Sequence, residues 1–127
     1  MKNMCLTLLA VVAGALWMPG VASGHHGWAA FESETTITFK GMVTDFHFVN
    51  PHSVVDFDVK DDQGQVQSWQ GELTSANRLA SKGWTATTLE AGNAVTITGY
   101  RARSGVRTLR ISKIIANGTE LKIEIGN

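Results

Sequence analysis

Residues 53–73, SVVDFDVKDDQGQVQSWQGEL, predict the fold most directly. Between residues 53 and 60, apolar side chains alternate with more polar ones, which is the period-two pattern of a half-buried β-strand. The DDQG sequence at 61–64 is a hairpin turn signal, and residues 65–73 again have the composition of a strand. This stretch therefore predicts an antiparallel β-hairpin.

An earlier strand is predicted over residues 35–49, where β-branched and aromatic residues dominate. Gly41 interrupts that strand, which indicates a bulge or a sharp bend. Asn50 and Pro51 then form a turn. After the hairpin, residues 74–83 combine helix-start residues, good helix formers and a final glycine, so they predict a short helix.

Two further strands are predicted over residues 94–103 and 106–116, and Asn117-Gly118 is a strong two-residue hairpin signal before a last strand at 120–125. The chain is thus all-β, with one short helix between its third and fourth strands. This order predicts a small OB-like Greek-key barrel, with a β-sandwich as the alternative. We assign residues 35–127 to this single domain.

The first 24 residues have the parts of a secretory signal peptide. Lys2 gives a positive start, residues 4–18 are mostly apolar, and small residues at 21–24 offer cleavage sites. The alternative is an uncleaved anchor, although the apolar run is short for a membrane span. We therefore expect a periplasmic or secreted bacterial envelope protein, without a membrane span after cleavage. Removal of the signal also removes Cys5, the one cysteine, so no disulfide is expected.

The charge balance excludes one class of partner. The 11 Lys and Arg residues match 11 Asp and Glu residues, so no basic field is expected to hold a nucleic-acid backbone. The sequence also lacks a nucleophile elbow, a glycine-rich phosphate loop and an HExxH motif. We therefore predict a protein that is not an enzyme, with a copper redox centre as a minor alternative.

The four histidines are the candidate metal ligands. His25 and His26 follow the predicted cleavage site, at the start of an N-terminal arm assigned to residues 25–34, whereas His47 and His52 flank the predicted turn. Cleavage after Gly24 would let the amine and ring of His25 chelate one ion, and a second imidazole would complete a three-nitrogen site. Tetragonal nitrogen ligands suit copper(II), which is the cofactor we predict.

Each histidine also has a simpler interpretation. The terminus is disordered in many proteins, and the arm would have to fold back along a curved first strand to reach His47 or His52. His52 could instead cap the turn. Simple alternation places His47 on the same face as Val43 and Asp45, where it would be an edge residue.

The rival function is an OB-like envelope module that binds a small ligand or another envelope protein, without a role for metal. Its candidate contacts are Phe57, Trp69 and Tyr100. Barrels of this shape bind varied ligands, so the fold alone does not decide between the two functions.

Several short motifs resemble those of a family of small exported bacterial proteins known only as a domain of unknown function. They are HHGWAAF at 25–31, KGMVT at 40–44, NPH at 50–52, DVKD at 58–61, RLASKGW at 78–84 and VTITG at 95–99. The resemblance implies export and a His-His start after cleavage, and it implies no activity. Gly27 departs from the pattern, which has serine there. Because His25, His26 and His52 fall on matching motifs, they rank ahead of His47 as predicted ligands.

Overall fold

The computed structural model describes residues 27–124. The predicted signal peptide, His25 and His26 lie outside this range. A 3₁₀ turn at Trp28–Ala30 leads into six strands and one helix. The strands are β1 (Phe31–His47), β2 (Val54–Lys60), β3 (Val66–Glu72), β4 (Ala94–Ala102), β5 (Thr108–Ala116) and β6 (Thr119–Glu120), and the helix is α1 (Ala76–Ala80). No helix among the described residues is both long enough and apolar enough to cross a membrane.

The strands close into a barrel. Their order in the sheet is β3-β2-β1-β4-β5-β6, and β3 also pairs with β5 in parallel, with Gln70 opposite Thr108 and Glu72 opposite Arg110. Five strands therefore form a closed ring with the Greek-key order of an OB-like barrel. This confirms the predicted fold and excludes the β-sandwich alternative, because a sandwich would leave β3 and β5 unpaired.

Strand β1 joins the two halves of the barrel by changing partner. Its residues up to Met42 pair with β4, and its residues from Met42 onward pair with β2. Gly41 lies at this exchange, where a side-chain methyl group would overlap the carbonyl oxygen of Asp58. The ladder with β4 runs through Gly41 without a register shift. Gly41 therefore permits a close strand crossing, and the bulge lies elsewhere in β1.

The core fills the barrel interior. The inward-facing side chains of β2 alternate with exposed or half-buried ones, as the period-two pattern predicts. The largest fully buried side chains are Phe57, Leu73, Leu79, Leu89, Ile97, Leu109 and Ile114. Leu79 comes from α1, which begins at the N-cap residue Ser75, whose side chain accepts the N–H of Arg78. The helix thus contributes to the core at one end of the barrel.

Two predicted strand limits differ from the structure by more than two residues. Strand β1 begins at Phe31, inside the segment that we assigned to the arm, because Phe31 pairs with Ala102 and is only 6% exposed. The Nε of Arg103 donates to the Phe31 carbonyl oxygen at 2.8 Å. A lone aromatic residue in a polar stretch gives no periodic signal, so the sequence did not reveal this pairing.

The last strand is shorter than predicted, since β6 covers only Thr119–Glu120. Beyond it, the N–H of Leu121 donates to the carbonyl oxygen of Ile114, and the Lys122 carbonyl oxygen accepts the indole N–H of Trp84 at 2.7 Å. These two hydrogen bonds hold the chain against β5 and Trp84 after the last strand ends. The turn before β6 is as predicted, with Asn117 at φ 49° and Gly118 at φ 83°.

The turn between β2 and β3 is organised by Asp61. Its carboxylate accepts the backbone N–H groups of Gln63 and Gln65 at 2.9 and 2.8 Å, and the Gln67 amide at 3.3 Å. The Gln65 N–H lowers the pKa of the Asp61 carboxyl against an opposing effect of desolvation, and the bonds from Gln63 and Gln67 lower it further. The ionised carboxylate is therefore the form that stabilises this turn.

This lowered pKa predicts acid sensitivity at the turn. A folded-state pKa below the unfolded value of about 3.9 stabilises the protein at neutral pH, and this contribution is lost as the pH falls through the folded-state pKa. Urea unfolding should therefore find wild type more stable than Asp61→Asn at pH 7, and this difference should shrink below about pH 4. A difference that stays constant down to the acid transition would contradict the assignment.

Candidate functional site

A bulge in β1 sets the direction of its last side chains. Val43 pairs with Phe57 and Asp45 pairs with Asp56, so Thr44 is an extra residue and the register shifts there. The extra residue reverses the alternation: Val43 is buried, whereas Asp45 and His47 are exposed. The prediction that His47 shares a face with Val43 is therefore wrong, because simple alternation takes no account of a bulge.

Three potential metal ligands converge on the outer face of β1 and β2. The Nε2 of His47 lies 3.0 Å from an Oδ2 of Asp56 and 3.4 Å from an Oδ2 of Asp45. One ligand atom from each residue can be chosen so that all lie within 4.8 Å of one another. We refer to Asp45, His47 and Asp56 as the outer cluster. Its members are exposed or half-buried, so an ion could enter from solvent.

A fourth residue holds the outer cluster in place. The Gln70 side-chain amide donates to Oδ1 of Asp56 at 3.1 Å, while Oδ2 of the same carboxylate faces His47. Gln70 lies opposite Asp56 on β3, and its backbone N–H is bonded to the Arg107 carbonyl oxygen. One oxygen of Asp56 is thus directed toward His47 by a residue anchored on both sides. Such outer-sphere contacts orient metal ligands in proteins.

His52 belongs to a different group. Its Nδ1 lies 3.4 Å from Oε1 of Glu72, which in turn accepts Nη1 of Arg110 at 2.7 Å. The Arg110 side chain is only 8% exposed, and the Glu72 side chain is 26% exposed. Glu72 and Arg110 face each other in the parallel pairing that closes the barrel. His52 therefore lies beside an ion pair at the closing seam, and not in the outer cluster.

The strand positions constrain a site formed with His25. His47 pairs with Val54 at the end of the barrel that carries α1, whereas the arm joins β1 at Phe31, which pairs with the last residue of β4. The strand from Phe31 to His47 has a contour of about 50 Å. The six residues back to His25 span at most about 21 Å. A three-nitrogen site formed by His25 and His47 of the same chain therefore requires strong curvature of β1. A site formed by His25 of one copy and His47 of a second copy would not require it.

The aromatic candidates of the rival function occupy three different environments. Phe57 is only 1% exposed, so the prediction that it contacts a ligand is wrong: the side chain points inward on β2. Trp69 is 9% exposed and packs on Phe39 with a centroid distance of 4.5 Å. Tyr100 is half-buried. Only Trp69 and Tyr100 remain candidates for contact with a ligand.

Sequence reasoning named one member of the outer cluster as a ligand. The sequence identifies Asp45 only as a neighbour of His47, and Asp56 only as one of the polar residues that alternate with apolar ones between 53 and 60. The alternation in residues 53–60 does place Asp56 on the outer face. What it cannot provide is the register between β1 and β2, which brings Asp56 opposite Asp45. Gln70 gave no signal at all.

The molecule is therefore a small OB-like barrel with a carboxylate–histidine cluster on its outer surface. The chain belongs to the family of unknown function DUF6152, whose sequence profile matches residues 13–110. This agrees with the resemblance seen in the sequence. No functionally curated protein matches the chain.

Solved structures include two similar chains. The dimeric N-terminal domain of PriB from Thermoanaerobacter tencongensis is 22% identical, with a TM-score of 0.45, over 66% of this chain and 97% of that one. A ZRD-deleted mutant of TiaS in complex with agmatine is 19% identical, with a TM-score of 0.43, over 75% of this chain. This chain covers only 26% of that TiaS chain.

Proposed function

We propose that this protein is an exported envelope protein that binds a divalent transition metal, with copper(II) as the ion. The observation that carries the proposal is the outer cluster, where Asp45, His47 and Asp56 bring donor atoms within 4.8 Å of one another. Imidazole and carboxylate ligands together suit a tetragonal copper(II) or nickel(II) ion. Copper(II) is also the divalent first-row ion that a given nitrogen and oxygen site generally binds most tightly.

The outer cluster offers three ligands and leaves further positions open. Water could fill them, and so could the amine and imidazole of His25, with His26 beside them, from a processed terminus. We propose the latter for a second copy of the chain, because the contour of β1 separates the two groups within one copy. His52 is the alternative second imidazole, although in the structure its Nδ1 faces Glu72 at 3.4 Å.

The first test is copper binding by protein secreted with its own signal, after its intact mass has established where the mature chain starts. His47→Ala should weaken copper(II) binding by more than about a hundredfold, because a lost ligand costs more than the roughly 10–100-fold that a lost outer-sphere partner costs. Titration calorimetry measures the affinity, and the paramagnetic resonance spectrum reports the nitrogen ligands.

Asp58→Asn is the matched control. Asp58 lies on the same strand and face as Asp56, two residues further along, but it is bonded to the Ser68 hydroxyl at 2.7 Å and is not part of the outer cluster. This substitution should leave the copper affinity within about twofold of wild type. His52→Ala should also leave the copper affinity unchanged. If His52→Ala instead reduced the affinity as much as His47→Ala, the copper site would lie at the closing seam.

His25→Ala tests the contribution of the terminus. If the terminus joins the outer cluster, this change and His47→Ala should each reduce the number of nitrogen ligands in the spectrum, and copper should promote dimerisation in sedimentation experiments. If only His25→Ala matters, the ion is held by the terminus alone. The proposal would be overturned if wild-type protein with the correct terminus bound copper(II) no more tightly than His25→Ala and His47→Ala.

The rival function keeps one structural observation in its favour. A groove with an aromatic floor lies at the end of the barrel opposite the outer cluster, and Trp69 forms part of that floor. If this protein captured partners from an envelope extract equally well with and without a chelator, that result would favour this alternative.

A further inference from the structure

The groove at the far end of the barrel has the features of a small-molecule site. Its volume of about 460 Å³ falls within the usual range for ligand pockets. The floor is apolar and consists of Phe39, Val59 and Trp69. Phe39 and Trp69 contact each other with their rings tilted by 42°. The guanidinium of Arg101 lies 5.5 Å from the centre of the Trp69 ring and adds to the packing that holds this ring in place.

The rim of the groove carries charges of both signs. Lys60 at the end of β2 lies next to Asp61 and Asp62 of the following turn, whereas Arg107 comes from the loop before β5. Asp61 is fixed by its bonds to the turn. The backbone of Arg107 is also fixed, because its carbonyl oxygen accepts the N–H of Gln70 at 2.9 Å. Both charges are therefore presented from anchored backbone.

We propose that this groove binds a small zwitterion with an apolar side chain, namely a free amino acid with a large side chain. Its side chain lies on Phe39 and Trp69, its ammonium group faces the Asp61–Asp62 turn, and its carboxylate pairs with Arg107. A ligand with one charge would be attracted by rim groups of only one sign, whereas a zwitterion can pair with both the carboxylates and Arg107. This site does not depend on the proposed metal function, because the outer cluster shares no residue with the groove.

Three related compounds test the proposal on the secreted, mature protein in the presence of a chelator. L-phenylalanine carries both charges, phenethylamine lacks the carboxylate, and 3-phenylpropionate lacks the ammonium group. We expect L-phenylalanine to shift the indole resonance of Trp69 at millimolar concentrations in two-dimensional NMR. Each analogue should bind at least about tenfold more weakly, since each loses a charge-assisted contact.

Two variants assign the charges. Arg107→Gln should reduce the affinity for L-phenylalanine about tenfold while leaving phenethylamine unchanged. Asp62→Asn should also reduce the affinity for L-phenylalanine, but it should leave the affinity for 3-phenylpropionate unchanged. Both side chains are exposed, so both variants should fold. Arg78→Gln, which changes an exposed arginine on α1, is the control and should have no effect.

The outcomes that overturn the proposal are specific. One is the absence of any shift at Trp69 with L-phenylalanine at millimolar concentrations. Another is equal binding of the three compounds, which would show that the rim charges play no part. Loss of copper binding in the His47→Ala variant with unchanged binding of L-phenylalanine would confirm that the two sites are independent.

Discussion

Glu72→Ala is expected to lower the free energy of unfolding by about 3 kcal/mol, near the lower end of the range for breaking a buried ion pair. The change removes the carboxylate that accepts an N–H of the Arg110 guanidinium at 2.7 Å. Arg110 is buried, with an exposed fraction of only 7%. We place the value at the lower end because the Glu72 side chain is still 26% exposed. Urea unfolding of the mature protein measures the loss.

An exposed ion pair provides the control for this prediction. The Nζ of Lys113 lies 3.2 Å from Oε2 of Glu120, and the two side chains are 49% and 62% exposed. Glu120→Ala should therefore lower the free energy of unfolding by less than about 1 kcal/mol. The double variant Glu72→Leu with Arg110→Met should recover most of the stability, because apolar residues of similar volume often replace a buried pair without loss. A cost for Glu72→Ala no larger than that for Glu120→Ala would show that the seam does not depend on this pair.

Gly41→Ala is expected to destabilise the protein by about 3 kcal/mol, since added atoms in a tightly packed region force backbone shifts. A methyl group at Gly41 would overlap the carbonyl oxygen of Asp58, and it would lie 3.2 Å from a ring carbon of Phe57. Both neighbours belong to β2, and a backbone oxygen in a strand cannot move away at little cost. The same urea titration would measure the effect.

Gly27→Ala is the matched control, because no atom lies within 4 Å of the methyl group that it would add. Its effect on stability should stay within about 0.5 kcal/mol. If Gly41→Ala is tolerated equally well, the close crossing of β1 over β2 is not what requires glycine there.

Much of the fold follows from local patterns in the sequence. The hairpin of β2 and β3, the short helix and the Asn117-Gly118 turn were all predicted, and the structure confirms each one. Alternating apolar residues and turn dipeptides carry this information because they act over a few neighbouring residues. The sequence also led to the OB-like barrel through the order of these elements.

The start of β1 and the course of the chain after β6 depend on distant contacts. Phe31 is part of the strand because Ala102 and Arg103 pair with it from the end of β4. After β6, the Leu121 N–H still bonds to Ile114 of β5, and the Lys122 carbonyl oxygen accepts the indole N–H of Trp84. Residues that are far apart in sequence set these limits, so no local window could reveal them.

The candidate site was likewise predictable only in part from local sequence. The sequence by itself determined an all-β chain with a helix between its third and fourth strands, and it singled out His47 and His52 beside the turn after the first strand. Tertiary structure decided that His47 joins Asp45 and Asp56, whereas His52 joins Glu72 and Arg110. The physical reason is that a one-residue bulge reverses which side chains face outward, and the register between strands then selects their neighbours.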